Sequence, residues 1–581
     1  MARSLMLILA LLALACAALT RPAIGQPVPL PVPEAADPPK TLRLPLGPAD
    51  ISLDPHAAPS GTSLNLIADI YEGLMQWLPG PSPRLAPCLA ADWPKVSDDG
   101  LTYTFKLREA KFHNSECFKE GQGRAAKASD VVASFKRLAA LSGEQRHWFW
   151  LVQGLIAGLD KYAEDMREGG GWNGNDDLVV EGLSAPDDST FVLKLKRPFA
   201  PILSVLAHPA LSIVAAEAME HYMFELQRRA VGTGPYRLHA LASSRIYVLK
   251  RFDRHWGEKP EFERVVYAEP EGPEAVATSQ WGECELNASL ARRHVRDGKL
   301  FGPLAKASVE LSITDDIGSW FMSFNMSDGL MGSLDADGRG LRKAVSFSID
   351  RARMAETCFG AIFGRAASEI LPPGAEFAEL GRHDDWGAYD LKRAKDVLDA
   401  TKFKGGLNPD TGKPLSLTLF CPTGEFNRRM VEVIRAGLKA LGMELDARQT
   451  SAAALFEAVD TGQGHLYFSG WFLDHPDPQN VFQLYESRNI GTGEENRNTA
   501  RYSVPEFDAD YAELCRISPD AAHQARRREL VGKLATRLLE DRPVVPLMVR
   551  RFARVRSTNL EWPALPDCVF DRVRFVKSRK S

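Results

Sequence analysis

Residues 415–442, LSLTLFCPTGEFNRRMVEVIRAGLKALG, change their period partway along. Leu415, Leu417 and Leu419 alternate with Ser416 and Thr418, the two-residue repeat of a half-buried strand. Farther on, Met430, Val433, Ile434, Leu438 and Leu441 share one side of a 3.6-residue repeat. That spacing predicts a helix over 426–441, and Gly442 supplies its stop. A strand running straight into an amphipathic helix is the building unit of an α/β protein.

The same alternation of elements extends upstream. Asp390 is placed to cap a helix whose apolar side carries Leu391, Ala394, Val397 and Leu398. Residues 101–107 alternate as a strand after the turn formers Ser97-Asp98-Asp99-Gly100. Residues 190–195 repeat the arrangement after Pro186-Asp187-Asp188. Ala128-Ser129-Asp130 offers a helix start before Val131, Val132, Phe135 and Leu138. The glycines and asparagines of 169–175 mark an exposed loop, and no fixed-period repeat is visible.

The amino terminus obeys a different logic. Arg3 precedes an unbroken apolar run over 5–19, shorter than the ~20 residues a membrane span wants. Such a run fits a secretory signal, with cleavage after Gly25 in Ala23-Ile24-Gly25. Two alternatives stand beside it: an uncleaved anchor, and lipidation of Cys16, although the residue three before Cys16 is Ala13 rather than the usual Leu. Residues 26–40 carry prolines at 27, 29, 31, 33, 38 and 39, a stiff extended leader rather than core. The apolar stretch 201–216 is broken by Ser204, His208, Pro209 and Ser212, so no further span is expected. The mature chain is expected to be soluble or tethered only at its start.

A chain of 581 residues exceeds what one core fills, so two or more domains are expected. Its 71 basic and 75 acidic residues nearly cancel, which gives no support for a nucleic-acid or membrane-surface partner. Setting Cys16 aside, seven cysteines remain at 88, 117, 284, 358, 421, 515 and 568. None stands in CxxC or metal-type spacing, and an odd number leaves a thiol unpaired within the chain.

Motifs for chemistry are absent. There is no HExxH and no GxSxG. The stretch from Gly406 to Gly412-Lys413-Pro414 mimics a phosphate loop only loosely, since Pro414 replaces the magnesium-binding hydroxyl, and it reads as a surface turn. Asp474-His475-Pro476-Asp477 places a His between carboxylates, but adjacent residues do not converge easily on one ion. No catalytic residue, metal site or cofactor is therefore assigned, with the reservation that catalytic groups are often scattered along a chain.

Eight segments, in order, resemble the periplasmic oligopeptide- and dipeptide-binding proteins of ABC importers, extracellular solute-binding protein family 5. They are Leu53-Asp54-Pro55-His56 with Ile70-Tyr71-Glu72-Gly73-Leu74; Leu89-Ala90-Ala91-Asp92-Trp93; 97–105; Phe112-His113; 128–132; Val231-Gly232-Thr233-Gly234-Pro235-Tyr236; Leu341-Arg342-Lys343-Ala344-Val345 with Ile349-Asp350-Arg351; and Gly470-Trp471-Phe472-Leu473-Asp474-His475-Pro476-Asp477-Pro478. Most read as scaffold: Gly232 and Gly234 as a loop needing glycine torsions, and Arg342, Asp350 and Arg351 as capping and ion-pair residues.

The resemblance implies a two-lobed periplasmic-binding-protein fold (type II, cluster C) of α/β lobes with an extra subdomain in the first lobe. The first lobe would comprise 41–76, 211–315 and 547–581, with the subdomain at 77–210, and the second lobe 316–546. It also implies a periplasmic, monomeric, non-enzymatic protein that captures short peptides and hands them to an ABC permease in the inner membrane. A non-peptide solute (a nickel complex, haem, a sugar or an opine) and a secreted hydrolase stay open as alternatives. In the family an aspartate matching Asp474 meets the ligand's amino terminus, because an unpaired buried ammonium is costly; the competing role is a turn carboxylate. Trp471 is a cleft wall or plain core, and Gly61, Thr62 and Ser63 lie either against the ligand backbone or in an ordinary loop. Some members bond a cysteine matching Cys284 to one in the first strand, and residues 41–46 contain none.

Overall fold

The computed structural model describes residues 40–579 apart from 48, 81–82, 146, 170, 173–177, 244, 279–280, 492–495, 567–568 and 571–572. The signal segment with Cys16, the leader up to residue 39, Cys568 and much of the 169–175 stretch lie outside the described residues.

The chain begins with strand β1 (Thr41–Pro45) and helix α1 (Gly61–Ile70). It then departs into a separate sheet built from β2 (Lys95–Val96), β3 (Thr102–Lys106), β4 (Leu183–Asp187) and β5 (Thr190–Lys194), in the order β2-β3-β5-β4. Helix α2 (Ala128–Ala140) covers it. The alternation read in 101–107 and 190–195 is the alternation of these strands, with Tyr103, Phe105, Phe191 and Leu193 buried. Helix α2 starts where the sequence places it, but its cap differs. Asp130 stands at the third helical position and its carboxylate accepts from the Lys127 N–H (2.8 Å), while Arg124 grips both of its oxygens at 2.7 Å.

The chain returns to β1's sheet through β6 (Tyr236–Ser243), β7 (Ile246–Arg251) and β8 (Arg264–Ala268), giving β1-β8-β7-β6 with β1 parallel to β8. Gly232 and Gly234 matter here for closeness rather than torsion. A β-carbon on Gly232 would lie 2.0 Å from the Ile70 carbonyl oxygen, and one on Gly234 2.7 Å from it. Only glycine lets this loop seat on the end of α1.

Next come β9 (Glu283–Glu285), β10 (Val309–Asp315) and β11 (Gly318–Phe324). Helices α3 (Ala336–Ser348) and α4 (Arg351–Phe359) follow. After them run β12 (Ser416–Pro422), α5 (Glu425–Ala440), β13 (Glu444–Thr450), α6 (Ala452–Asp460), β14 (Leu466–Phe472) and α7 (Gln524–Asp541), and the long β15 (Val544–Ser557) returns. The sheet order is β9-β15-β11-β14-β12-β13, with β10 also on β15. Leu415, Leu417, Leu419, Met430, Ile434, Leu438 and Leu441 share one core, and Gly442 ends α5 with φ +80°.

Arg342 and Arg351 make no ion pairs of the expected kind. Arg342 donates to the carbonyls of Ser333 and Asp541 (both 2.8 Å), and Arg351 to those of Pro546 (2.7 Å) and Ala388 (3.0 Å). Asp350 does cap α4, accepting from Arg353 N–H at 3.0 Å. Among the described cysteines, Cys117, Cys284, Cys358, Cys421 and Cys515 are free. Gly282 donates to the Arg43 carbonyl (2.8 Å), so the Cys284 segment lies beside β1, where Leu42 packs. Among the described residues no helix is long and apolar enough to cross a membrane.

One buried ion pair ties the α2 layer to the first lobe. Arg137 on α2 donates to Asp54 through both terminal nitrogens (2.8 and 2.5 Å) and contacts His56 Nδ1 at 3.0 Å. Burial pushes the Asp54 carboxyl up, but the Arg137 charge and hydrogen bonds outweigh it and hold the group below its usual range. Asp54→Ala strands a buried guanidinium, so about 3–5 kcal/mol of stability is expected to be lost in calorimetric unfolding. Adding Arg137→Met to it is expected to restore most of that loss.

Candidate functional site

Strands β12 and β14 are parallel neighbours, yet β13 lies on the far side of β12. The chain therefore steps outward through α5 and back across through α6. Helix α5 packs on the side of Leu417, Leu419 and Cys421, and α6 on the side of Phe420 and Tyr467. Such a reversal of strand order opens a crevice at the carboxyl ends of the two strands, the usual ligand position in open α/β sheets. Pairing of β12 with β14 stops at Phe420 and Tyr467, so the strands part before Pro422 and Phe472 are reached.

Asp474 and Trp471 stand at this mouth, and one residue sets them both. The Asn480 amide oxygen accepts from Trp471 Nε1 (2.9 Å) and from the Asp474 N–H (3.3 Å), while its nitrogen donates to Asp474 Oδ2 (3.0 Å). Asn480 is buried, which makes it a rigid clamp. The turn role belongs to the neighbouring acid: Asp477 accepts from the Gln479 N–H (2.9 Å) and pairs with the buried Arg527 at 2.8 Å. No cation among the described residues forms an ion pair with Asp474.

Asp474 looks into a narrow chamber of about 40 Å³ whose opposite wall includes Tyr71, Glu72, Ser204, His208 and Phe570. Glu72 is already satisfied by Thr233 Oγ1 (2.8 Å), His255 Nε2 (3.0 Å) and Trp256 Nε1 (3.0 Å). Burial pushes His208 down to about 3 and His475 to about 4, so both imidazoles are neutral at pH 7. Burial pushes Asp474 up to about 7, opposed by the Asn480 hydrogen bond and the more distant Arg497. The chamber thus offers one carboxylate and no positive charge from its two histidines. The walls meet directly nearby: Trp150 packs edge-on against Trp471 (6.4 Å), and Ala200 N–H donates to the Cys515 carbonyl (2.6 Å).

Gly61, Thr62 and Ser63 form the first turn of α1 rather than a loop, with Ser60 as its cap. Ser63 is buried; its hydroxyl accepts from Ser52 N–H (3.1 Å) and donates to the Asp50 carbonyl (3.4 Å). Thr62 packs beside Gly47. Gly61 is the exposed one, and Phe570 beside it carries on into the chamber wall. The structure therefore joins Asp474 with Trp471, links Gly61 to them at one remove, and engages Ser63 in holding the 50–52 segment. Sequence reasoning missed Asn480, Trp150 and His208. A polar residue six positions after Asp474 carries no pattern to mark it.

Two lobes joined by crossing strands, with a chamber that presents a carboxylate paired with no cation among the described residues, define a solute-binding protein of the periplasmic type. The chain matches the family described as bacterial extracellular solute-binding proteins, family 5 Middle, over residues 84–492. It belongs to that family. The dipeptide-binding protein of Escherichia coli (strain K12) is 26% identical over 482 residues, covering 80% of this chain and 82% of the relative. Among solved structures, HbpA2 of Haemophilus parasuis superposes with a TM-score of 0.72 at 18% identity, covering 93% of this chain and 100% of that one. DppA of Helicobacter pylori in complex with the peptide STSA gives 0.63 at 21% identity, covering 93% and 98%. These likenesses establish the two-lobed fold.

Asp474 is half-buried, and with its folded pKa raised it keeps its proton until about pH 7, whereas the unfolded chain loses it near the ordinary 3.8. Folding is thus penalised progressively as pH rises through that window, and the penalty is complete above it. Asp474→Asn is expected to raise the stability of the ligand-free protein above pH 7 by on the order of 2 kcal/mol, with little effect near pH 4. Thermal unfolding against pH measures this, and equal shifts at both pH values would contradict the assignment.

Proposed function

We propose that this protein is the peptide-capturing component of an ABC importer, binding short peptides between its lobes with the peptide's amino group against Asp474. The observation that carries this reading is the Asp474 carboxylate, which forms no ion pair with any described residue, while its neighbour Asp477 is paired with Arg527. A peptide ammonium supplies the missing charge, and extended peptide backbone suits the β14 edge that pairs no described strand beyond Tyr467. Relatives of the chain point the same way, among them a dipeptide-binding protein and a di/tripeptide-binding protein.

In this reading the first lobe comprises 41–76, 211–315 and 547–581, the subdomain 77–210 and the second lobe 316–546. The lobes close about the break between β10 and β11 and the middle of β15, a hinge motion of the kind binding proteins use. The loaded monomer docks on a permease of the inner membrane, and the protein works in the periplasm after export. No residue has a catalytic role.

Isothermal titration with a short peptide pool and with its members one by one tests the assignment. Asp474→Ala is expected to weaken a free-amino peptide by roughly 30-fold to several thousand-fold, the 2–5 kcal/mol of a broken buried charge pair. Amino-acetylated peptides should bind wild type and variant alike, and weakly. Below pH 7 binding should take up no proton and release one from Asp474, so the measured heat should depend on the buffer's ionisation enthalpy. Unchanged peptide affinity in the variant would remove Asp474 from this role.

A further inference from the structure

On the opposite face of β14 from Trp471, at the same strand ends, the structure holds an aromatic cup that the chamber does not use. Successive strand residues point to opposite faces, so Phe472 turns away from Trp471 toward the α5 side. There Trp320 of β11 stacks on Phe468 (5.7 Å, 10° between planes) and meets Phe472 edge-on (5.6 Å, 84°). Phe426, in the first turn of α5, closes on Trp320 at 5.7 Å, and Phe359 at the end of α4 closes on Phe426 at 5.2 Å. The rings border an open cup of about 350 Å³, within the range of small-molecule sites. Phe472 is 40% exposed, so the cluster is not sealed core.

A second observation points to what fills it. Asn427 lines the cup, is 8% exposed, and its amide oxygen has no hydrogen-bond partner. An orphaned buried acceptor costs about 1–3 kcal/mol unless a ligand supplies a donor. The rim cation Arg550 is taken by Asp316 at 2.8 Å, so the cup offers no free positive charge to an acidic group. The α5 amino terminus also disfavours a cationic guest. Flat aromatic walls with one unmet acceptor fit a large aromatic ring that carries an N–H or O–H.

We infer that the cup formed by Trp320, Phe426 and Phe472, with Asn427 as acceptor, is a side-chain pocket selecting peptides whose residue after the first is tryptophan or tyrosine. This rests on the peptide reading above. Phe472 ends β14 two residues before Asp474, and a short peptide laid along that edge covers about 7 Å from its amino group to its second side chain.

Titration of alanyl-tryptophan, alanyl-phenylalanine and dialanine tests it, beside ligand-observed NMR with 3-methylindole and toluene as free probes. Alanyl-tryptophan should bind at least about tenfold tighter than dialanine and about fivefold tighter than alanyl-phenylalanine. Asn427→Leu should bring the tryptophan-to-phenylalanine ratio near one, and Phe472→Ala should remove the preference for both aromatics. Equal affinity for dialanine and alanyl-tryptophan overturns the cup and leaves peptide capture standing. If no dipeptide binds but 3-methylindole does, and Phe472→Ala abolishes it, the peptide reading falls and the aromatic pocket is upheld. Binding of neither dipeptides nor indole overturns both.

Discussion

Strand β15 runs through fourteen residues and belongs to both halves of the molecule. Its first part, from Val544 to Met548, pairs with β11, and its second, from Arg551 to Ser557, with β10. β10 and β11 are themselves consecutive, so two antiparallel crossings tie the lobes together. At the break, Asp316 N–H donates to the Arg550 carbonyl and the Asp316 carboxylate takes the Arg550 side chain, both at 2.8 Å. Everything the site does depends on that tie, because the chamber has one wall in each half. A residue such as Asp474 meets Tyr71 and His208 only if the crossings hold the register.

The buried charges sort into two kinds. Asp54 with Arg137 and Asp477 with Arg527 are paired inside the protein and fasten one layer to another. Pairs of this kind cost desolvation and return specificity of arrangement, so their removal hurts most when it is one-sided. Asp474 is held in place by an amide instead. Asn480 fixes its direction without neutralising it, and the two nearby imidazoles are kept neutral by burial. Orientation and compensation have been separated, which is what a site awaiting a charged partner requires.

The α/β class was legible because period is a local property: 415–442 shows both repeats in one stretch, and the buried faces follow them. Asp474 was singled out only through the order of several motifs, since an acid two residues before a proline looks equally like a turn. The structure assigns the turn to Asp477, a distinction that rests on where Arg527 arrives from fifty residues away. The glycines at 232 and 234 were noticed for the wrong reason, because closeness to Ile70 leaves no trace in a torsion pattern. Asn480 and the aromatic cup were not legible at all. Trp320, Phe359, Phe426 and Phe472 come from separate elements, and each alone is an ordinary apolar position of an amphipathic segment.

If Asp474 receives the ligand's amino group as proposed, its carboxylate also bears on when the lobes close. Without a cation, shutting the chamber removes water from Asp474 and must either protonate it or leave its charge unsolvated. Both outcomes disfavour the shut form of the empty protein near neutral pH. A ligand ammonium reverses the sign of that term, so its interaction is stronger in the shut form than in the open one. A conformational equilibrium moves only by such a difference in affinity. On that reading the acid that lowers stability also gives the empty and loaded proteins different preferred shapes, with no separate latch required.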